Sequence, residues 1–282
     1  MSTTTTSPVL DPTGTPPAGV AGSTHAARPA RAVTPIPMTR LMKVELRKMF
    51  DTRAGFWLMA SIGIVSVLAT AATVLWAPDE AIDQETFSTA IGFPLSVILP
   101  IIGLLSITSE YSQRTGLTTY TLVPWRGRVV LAKVALTVGI GVVSMFVALA
   151  VGAVGNLLGS AITGLDPVWN VSAGEFGQIV LANVIGMLIG FMLGVVMRSS
   201  AAAIVGYFVF SLVLPGAFAA LAAFQEWFRD LQPWVDVNYA IGNLFSDTVT
   251  AEHWQQLGVT TLVWVWIPLA IGLRAVLRAE VK

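Results

Sequence analysis

Residues 178–197 read QIVLANVIGMLIGFMLGVVM, and residues 201–224 read AAAIVGYFVFSLVLPGAFAALAAF. Neither stretch contains a charged residue, and only Arg198, Ser199 and Ser200 separate the two. As an α-helix rising about 1.5 Å per residue, each is long enough to cross a hydrocarbon core of about 30 Å. Because only a helix satisfies its own backbone hydrogen bonds in lipid, the pair predicts two membrane spans joined by a tight hairpin.

Four further stretches have the same character. The composition agrees, since 55% of the residues are hydrophobic and 11% are charged, whereas soluble domains carry about 25% charged residues. We therefore predict an all-α, polytopic membrane protein with six transmembrane helices, in which Pro215 and Gly216 suggest a break near the end of the fifth. The six apolar stretches are Phe56–Ala77, Ile91–Ser109, Val134–Leu157, Gln178–Met197, Ala201–Phe224 and Gln256–Leu273.

The N-terminal region divides into a tail and a helix. Residues 1–37 are rich in Thr, Pro and Ala and lack apolar periodicity, which predicts a disordered cytoplasmic tail before a permease domain at 38–282. Residues 39–53 show helical spacing of apolar side chains, although Val44 and Glu45 break the pattern. This segment predicts an amphipathic helix in the membrane interface. Its apolar positions are Met38, Leu41, Met42, Met49 and Phe50, and Arg40, Lys43, Arg47 and Asp51 lie opposite.

Lysine and arginine residues predict the orientation of the spans. With the N-terminus inside, every Lys and Arg except Arg229 falls on the cytoplasmic side. Positive charge is retained on that side of a membrane, so the same distribution supports six spans. We expect a multi-pass protein of the cell membrane whose N- and C-termini are both cytoplasmic.

Several functional classes are disfavoured. The chain has no cysteine, and its two histidines, His25 and His253, are far apart, which argues against a metal site. The six stretches contain no Asp, Glu, Lys, Arg or His, which argues against a proton-coupled transporter and an intramembrane protease. Since no GxxxxGK[ST] loop is present, we expect no ATP site, no cofactor and no enzymatic activity in this chain.

Two sequence features each leave two interpretations. The predicted outer segment, residues 225–255, is aromatic and is expected to form short helices on the outer surface, where its rings make an interfacial belt or contact substrate. Small residues at every fourth position indicate close helix packing, either within the chain or between subunits. The aromatic residues are Trp227, Phe228, Trp234, Tyr239, Phe245 and Trp254, and the small ones are Gly155, Gly159, Gly186, Gly190 and Gly194.

The first cytoplasmic loop, within EYSQRTGLTTYTLVPWRGRVVLAK (110–133), is the most informative segment. It begins with Glu110 at the end of the second span, continues through a threonine-rich stretch that Pro124 would end, and reaches the headgroups with Arg126 and Arg128. Two interpretations stay open: a structured cytoplasmic element, and a plain basic loop that enforces topology. Glu110 should pair with a cation, for which Arg47, Lys48, Arg114 and Arg126 are candidates.

This loop resembles that of ABC-2 type transporter permeases. In that family a Glu after the second span leads through an R-T segment and a P-x-x-R element to an A-K at the third span. The layout of residues 39–282 is also similar. The matching residues are Glu110, Arg114–Thr115, Pro124 to Arg128 and Ala132–Lys133, and ELRKMFDTR (45–53) resembles the family's amphipathic helix.

The resemblance implies a permease subunit of an ATP-driven exporter. Separate cytoplasmic ABC ATPase subunits would hold ATP-Mg and dock on the amphipathic helix and the loop 110–128, and the chain would form a homodimer or pair with a related permease. The implied coupling residues are Arg47, Glu110, Arg114, Pro124, Arg126 and Arg128. The implied pathway residues on spans two and five are Phe93, Ile98, Leu105, Tyr207, Phe210 and Phe218.

Two alternatives compete with the exporter. One is a non-transporting membrane scaffold or immunity protein with the same layout, and the other is a secondary transporter or a membrane enzyme of another kind. The sequence does not identify the cargo, because apolar spans suit a lipid, a peptide or a hydrophobic drug. It offers no case for nucleic acid binding, since the formal net charge is zero.

Overall fold

The computed structural model describes residues 36–112, 126–246 and 248–278. In these ranges the chain is helical and contains no strand. Short 3₁₀ turns occupy Asp79–Ala81 and Asn243–Phe245. The helices are α1 (Met38–Asp51), α2 (Arg53–Trp76), α3 (Gln84–Ser112), α4 (Arg126–Thr163), α5 (Ala173–Met197), α6 (Ser200–Phe208), α7 (Leu214–Phe224), α8 (Glu226–Val235), α9 (Val237–Gly242), α10 (Ala251–Thr261) and α11 (Ile267–Arg278).

Six helical segments are long and apolar enough to cross a membrane, which confirms the predicted all-α class and the predicted number of spans. Five of these segments are longer than the apolar stretches that predicted them, and two of the extensions place Glu110 and Lys133 inside helices α3 and α4. The absence of ionisable residues therefore holds for the apolar stretches alone. The segments are Gly55–Trp76, Gln84–Tyr111, Gly127–Thr163, Ala173–Met197, Ser200–Phe224 and Ala251–Ala275.

The bundle has two distinct ends. At the end that we call the α1 end, α1 meets the start of α2, the last turns of α3 and the first turns of α4. At the opposite end, called the far end, the first turns of α3 and α5 meet α9. The predicted tail, and the loop interior that includes Arg114 and Pro124, lie outside the described residues.

Helices α3 and α5 form the centre of the bundle, and glycines allow their close approach. A Cβ atom on Gly190 would collide with the backbone of Pro100, and one on Gly103 would lie 2.6 Å from the carbonyl oxygen of Met187. The small residues of α5 thus serve packing within the chain. The apolar window of α5 is 67% buried, against 11% for the segment Ser200–Phe224, whose apolar side chains face outward.

Helices α6 and α7 are continuous, and the expected break at Pro215 and Gly216 takes another form. A π-helical turn, Val209–Val213, precedes Pro215, and a second one, Leu262–Trp266, precedes Pro268 in the last span. Proline lacks a backbone N–H, and a wider turn is one way to accommodate the carbonyl groups that lose a donor. Both spans therefore continue through their prolines.

The segment after α7 enters the bundle instead of lying wholly on its surface. Val237 and Ala240 of α9 are each 1% exposed and pack into the main core. Asp236 caps α9 by accepting hydrogen bonds from the backbone N–H groups of Asn238 and Tyr239. The apolar face of α9 is stabilised by burial, which explains why this helix lies in the core and not on the surface as predicted. Trp227 and Phe245 stay exposed, as an interfacial belt requires.

Candidate functional site

Four charged side chains meet at the α1 end: Glu45, Lys48, Glu110 and Lys133. We call them the charge cluster. Glu45, Glu110 and Lys133 are only 3%, 6% and 5% exposed, whereas the side chain of Lys48 retains 43% of its exposure. Buried charges are rare in proteins and costly within a membrane, so this arrangement requires a structural or functional reason.

Apolar contacts place α1 against α4 and so position the cluster. Leu41 packs with Val129 and Ala132, and all three are buried. One helical turn beyond Leu41, Glu45 faces Lys133, which adjoins Ala132 in α4. The side chain of Glu45 lies on the buried face of α1, which is why this residue breaks the apolar pattern of the sequence.

The ion pairs connect three helices. Lys133 donates to Oε2 of Glu45, and its Nζ lies 3.2 Å from Oε1 of Glu110. Lys48 donates to Oε1 of Glu45 at 2.7 Å and to Oε1 of Glu110 at 3.5 Å. The backbone carbonyl oxygen of Ser106 accepts a further bond from Lys133 at 3.2 Å. Each lysine thus joins α1 to α3, and Lys133 adds α4.

The cluster balances its own charge. Burial alone would raise the pKa of Glu45, but the charges and hydrogen bonds of Lys133 and Lys48 outweigh it and hold that pKa below its ordinary value. Burial would lower the pKa of Lys48, but Glu45 and Glu110 outweigh it and keep the pKa above its ordinary value. The carboxylate of Glu45 and the ammonium group of Lys48 are therefore retained as charged partners at neutral pH.

A cavity of about 390 Å³ borders the cluster, and Glu45, Lys48, Glu110 and Lys133 all contribute to its lining. Oε2 of Glu110 is buried and accepts no hydrogen bond within the described ranges. Glu110 lies in the last turn of α3, directly before the loop 113–125. The cluster thus reaches from α1 to the point where the chain leaves the bundle.

The predicted coupling residues occupy different places. Arg47 faces solvent and pairs with Asp51 on α1, with 3.5 Å between Nε and Oδ2, so it does not join Glu110. Arg128 is partly buried in the first turns of α4, and Arg126 is the first residue of that helix. Of the two candidate cations for Glu110 whose side chains the structure describes, Arg47 and Lys48, it brings Lys48 to Glu110; Arg114 and the side chain of Arg126 lie outside the described residues. Lys133 was missed as a partner because it was expected at the surface end of its span.

The predicted pathway residues do not form one lining. Phe93 is 77% exposed and borders a cavity at the far end, and Leu105 borders the cavity beside the charge cluster. Tyr207 is buried and donates a hydrogen bond of 2.9 Å to the carbonyl oxygen of Ser96. The remaining three have packing contacts: Ile98 with the core, Phe210 with Trp264, and Phe218 with Phe228.

No family model matches this chain, and no curated protein matches its sequence significantly.

Proposed function

We propose that this chain is the membrane permease subunit of an ATP-driven exporter in the cell membrane. A separate cytoplasmic ABC ATPase supplies the energy, and both termini are cytoplasmic. The observation that best supports this function is the charge cluster, which ties α1 to α3 and α4 through buried ion pairs. The resemblance of the loop 110–128 to that of ABC-2 type permeases supports an ABC ATPase as the partner.

The cluster suits a role in coupling. Apolar surfaces can slide over each other at little cost, whereas buried ion pairs resist displacement because separating them leaves uncompensated charge. An ATPase that pushes on α1 would therefore move Glu45 and Lys48, and with them Glu110 and Lys133. Motion of the docking surface is in this way carried into two membrane spans.

Helix α1 lies in the membrane interface in this proposal. Leu46 and Phe50 are 37% and 46% exposed, they lie one turn apart, and they border an apolar cavity between α1, α2 and α4. The charged side chains of Lys43 and Arg47 are also exposed. Such a helix can place its apolar residues in lipid and its cations at the headgroups.

A second permease copy completes the transporter. The segment Ser200–Phe224 exposes Val205, Leu212 and Phe224 at 63%, 67% and 83%, and either lipid or another permease can cover this face. We propose that two copies, or this chain and a related one, pair in the membrane.

Co-purification tests the function. The full chain, tagged and extracted from its native membrane in mild detergent, should carry a cytoplasmic ATPase with it, and the complex should hydrolyse ATP. The chain freed of its partner should neither bind nor hydrolyse ATP. Saturable, micromolar ATP binding to a homogeneous partner-free sample would contradict the proposal.

Cysteine labelling tests the orientation, because the native chain contains no cysteine. An impermeant thiol reagent on intact cells should label Ser246→Cys and leave Ser23→Cys unlabelled. The reverse pattern would overturn the cytoplasmic assignment of the N-terminus.

A secondary transporter is the second candidate, and one observation favours it. Helices α3 and α4 contain buried ionisable side chains, Glu110 and Lys133, and such groups mark ion and proton pathways in membranes. Substrate flux in liposomes that contain only this chain and an ion gradient, without ATP, would favour this candidate over the exporter.

A further inference from the structure

The far end contains a cavity of about 540 Å³, which lies within the usual range for small-molecule sites of about 300–1,000 Å³. The first turns of α3 and α5 form two of its walls, and α9 with the following 3₁₀ turn forms the third. Apolar side chains such as Phe93 and Ile179 line it beside polar ones such as Ser88 and Thr89.

The charge around this cavity has one sign. Glu85 and Glu175 border it, and no Lys, Arg or His lies in its lining. The two loops that lead into α3 and α5 add Asp79, Glu80, Asp83 and Asp166. Among the described residues of these loops, of the cavity walls and of the segment 225–255, Arg229 is the one Lys or Arg, and its Nε donates to the carbonyl oxygen of Ala222. The field therefore favours a cationic ligand.

Asn183 supplies a second, independent observation. This residue of α5 is 6% exposed and lines the cavity. Its amide nitrogen donates to the carbonyl oxygen of Ile179 at 2.9 Å, but its Oδ1 is buried and receives no hydrogen bond within the described ranges. Since nearly all buried polar atoms have partners, this unpartnered acceptor beside the cavity suits a donor from a bound molecule.

We propose that the far-end cavity binds an amphiphile that carries a primary ammonium group on a hydrocarbon chain. The ammonium donates to Oδ1 of Asn183 in the field of Glu85 and Glu175, and the chain lies against Phe93 and Ile179. An anionic amphiphile lacks both the charge and the donor. This site goes beyond the proposed export function, because binding to the purified chain requires neither ATP nor an ATPase.

The test uses calorimetric titration of the full chain in phosphatidylcholine nanodiscs, with empty nanodiscs as background. The probes are octylammonium, octyltrimethylammonium, which has no N–H, and octanoate. Octylammonium should bind most tightly, octyltrimethylammonium more weakly and octanoate not at all. Binding of octanoate equal to that of octylammonium would overturn the proposal.

Variants of Asn183 test the acceptor. Asn183→Leu should weaken octylammonium binding by about tenfold, equivalent to about 1.4 kcal/mol, and should leave octyltrimethylammonium unaffected. Asn183→Asp, which keeps the shape, should strengthen both cations. Unchanged octylammonium binding in these two variants, with unfolding temperatures like that of the native protein, would refute the role of Asn183.

Variants of the carboxylates test whether the negative electrostatic field of the cavity attracts the cation. Glu175→Gln should weaken both cations about twofold to fivefold at low salt, and it keeps the cap of α5 because Gln also suits a capping box. The matched control is Glu80→Gln, which removes an exposed carboxylate outside the lining and should change binding little. Equal effects of the two variants would mean that the cavity carboxylate has no specific role.

A further experiment distinguishes two sources of the ammonium group, a lipid headgroup and a free amine. In phosphatidylethanolamine nanodiscs, a lipid headgroup that occupies the cavity would compete and weaken octylammonium binding, and Asn183→Leu would remove that competition. Equal octylammonium binding in the two lipids would identify a free amine as the ligand. Both results require an ammonium site, whereas competition that persists in Asn183→Leu would place the lipid elsewhere and contradict the assignment.

Discussion

The two ends of the bundle treat charge in opposite ways. At the α1 end, two carboxylates and two lysines are brought together and neutralise one another, so the cluster holds helices in place without a ligand. At the far end, Glu85 and Glu175 stand around a cavity; among the described residues, its lining has no Lys, Arg or His, and Oδ1 of Asn183 has no donor. The α1 end also has an unpartnered acceptor, Oε2 of Glu110, so the two ends differ in charge pairing. Paired charges indicate a mechanical role, whereas carboxylates with no cation beside them in the described ranges indicate a place for another molecule.

Removing a lysine from the charge cluster should give the largest effect. Lys133→Met leaves Glu45 and Glu110 buried with Lys48 as their one cationic partner among the described residues, and loss of a buried partner costs about 3–5 kcal/mol. The matched control is Lys43→Met, which removes an exposed lysine of α1 and should cost less than about 1 kcal/mol. Denaturant or thermal unfolding in detergent measures both.

A triple variant should restore part of the stability that Lys133→Met loses. In the triple change Glu45→Leu, Glu110→Gln and Lys133→Met, little uncompensated buried charge is left, so stability should recover relative to Lys133→Met alone. A triple variant no more stable than the single one would mean that packing, and not charge balance, determines stability at this end.

The sequence predicts some parts of this structure well and others poorly. Length and apolarity predict the six spans because a membrane imposes both requirements directly. The burial of α9 could not be predicted from its six residues, since their surroundings come from distant helices. Glu45 was visible only as an acid that breaks an apolar face, and the sequence alone does not pair it with Lys133, 88 residues away.

Glu110→Gln tests whether the charge cluster couples as well as stabilises. Gln retains an acceptor for Lys133, and Lys133 and Lys48 keep Glu45 as a partner, so the loss of stability should be smaller than for Lys133→Met. In a complex with the proposed ATPase, however, transport or substrate-stimulated ATP hydrolysis should fall by about fivefold or more, the lower range of coupling between sites.

Arg126→Ala, at the start of α4, extends this test to the loop and should reduce coupled activity while the protein stays folded. Full activity in both variants would show that the loop only anchors the topology. Loss of folding in both would show a structural role, and the coupling assignment would then fail.

Gly190→Ala tests the contact that joins the two ends. Helix α3 carries Glu110 at one end and Glu85 at the other, and Gly190 of α5 packs against its middle. An added Cβ would meet the backbone of Pro100, so we expect a loss of about 1–3 kcal/mol. The control is Gly186→Ala, whose Cβ would lie 3.5 Å from Pro100 Cγ, an ordinary contact. Similar unfolding temperatures for the two variants would contradict the close approach.

The smallest expected effect is a change in stability with pH, and it distinguishes the contribution of the charge cluster from that of the other titrating groups. Because the pKa of Glu45 is lowered on folding, its stabilisation is fully present above its ordinary pKa of 4.5 and is lost as pH falls through the lower, folded value. Because the pKa of Lys48 is raised, its stabilisation is present below 10.5 and is lost only above that value. Between these limits Glu45 and Lys48 contribute a constant amount of stability. Unfolding temperatures of the native protein and of Glu45→Gln, measured from pH 3 to 8, should therefore differ by a constant amount near neutrality and converge in acid.

Other carboxylates titrate in both proteins, so only the difference between the two unfolding temperatures reports on Glu45. A difference that stays constant to pH 3 would show that Glu45 contributes no charge-dependent stability and would remove the electrostatic basis for the contrast between the two ends.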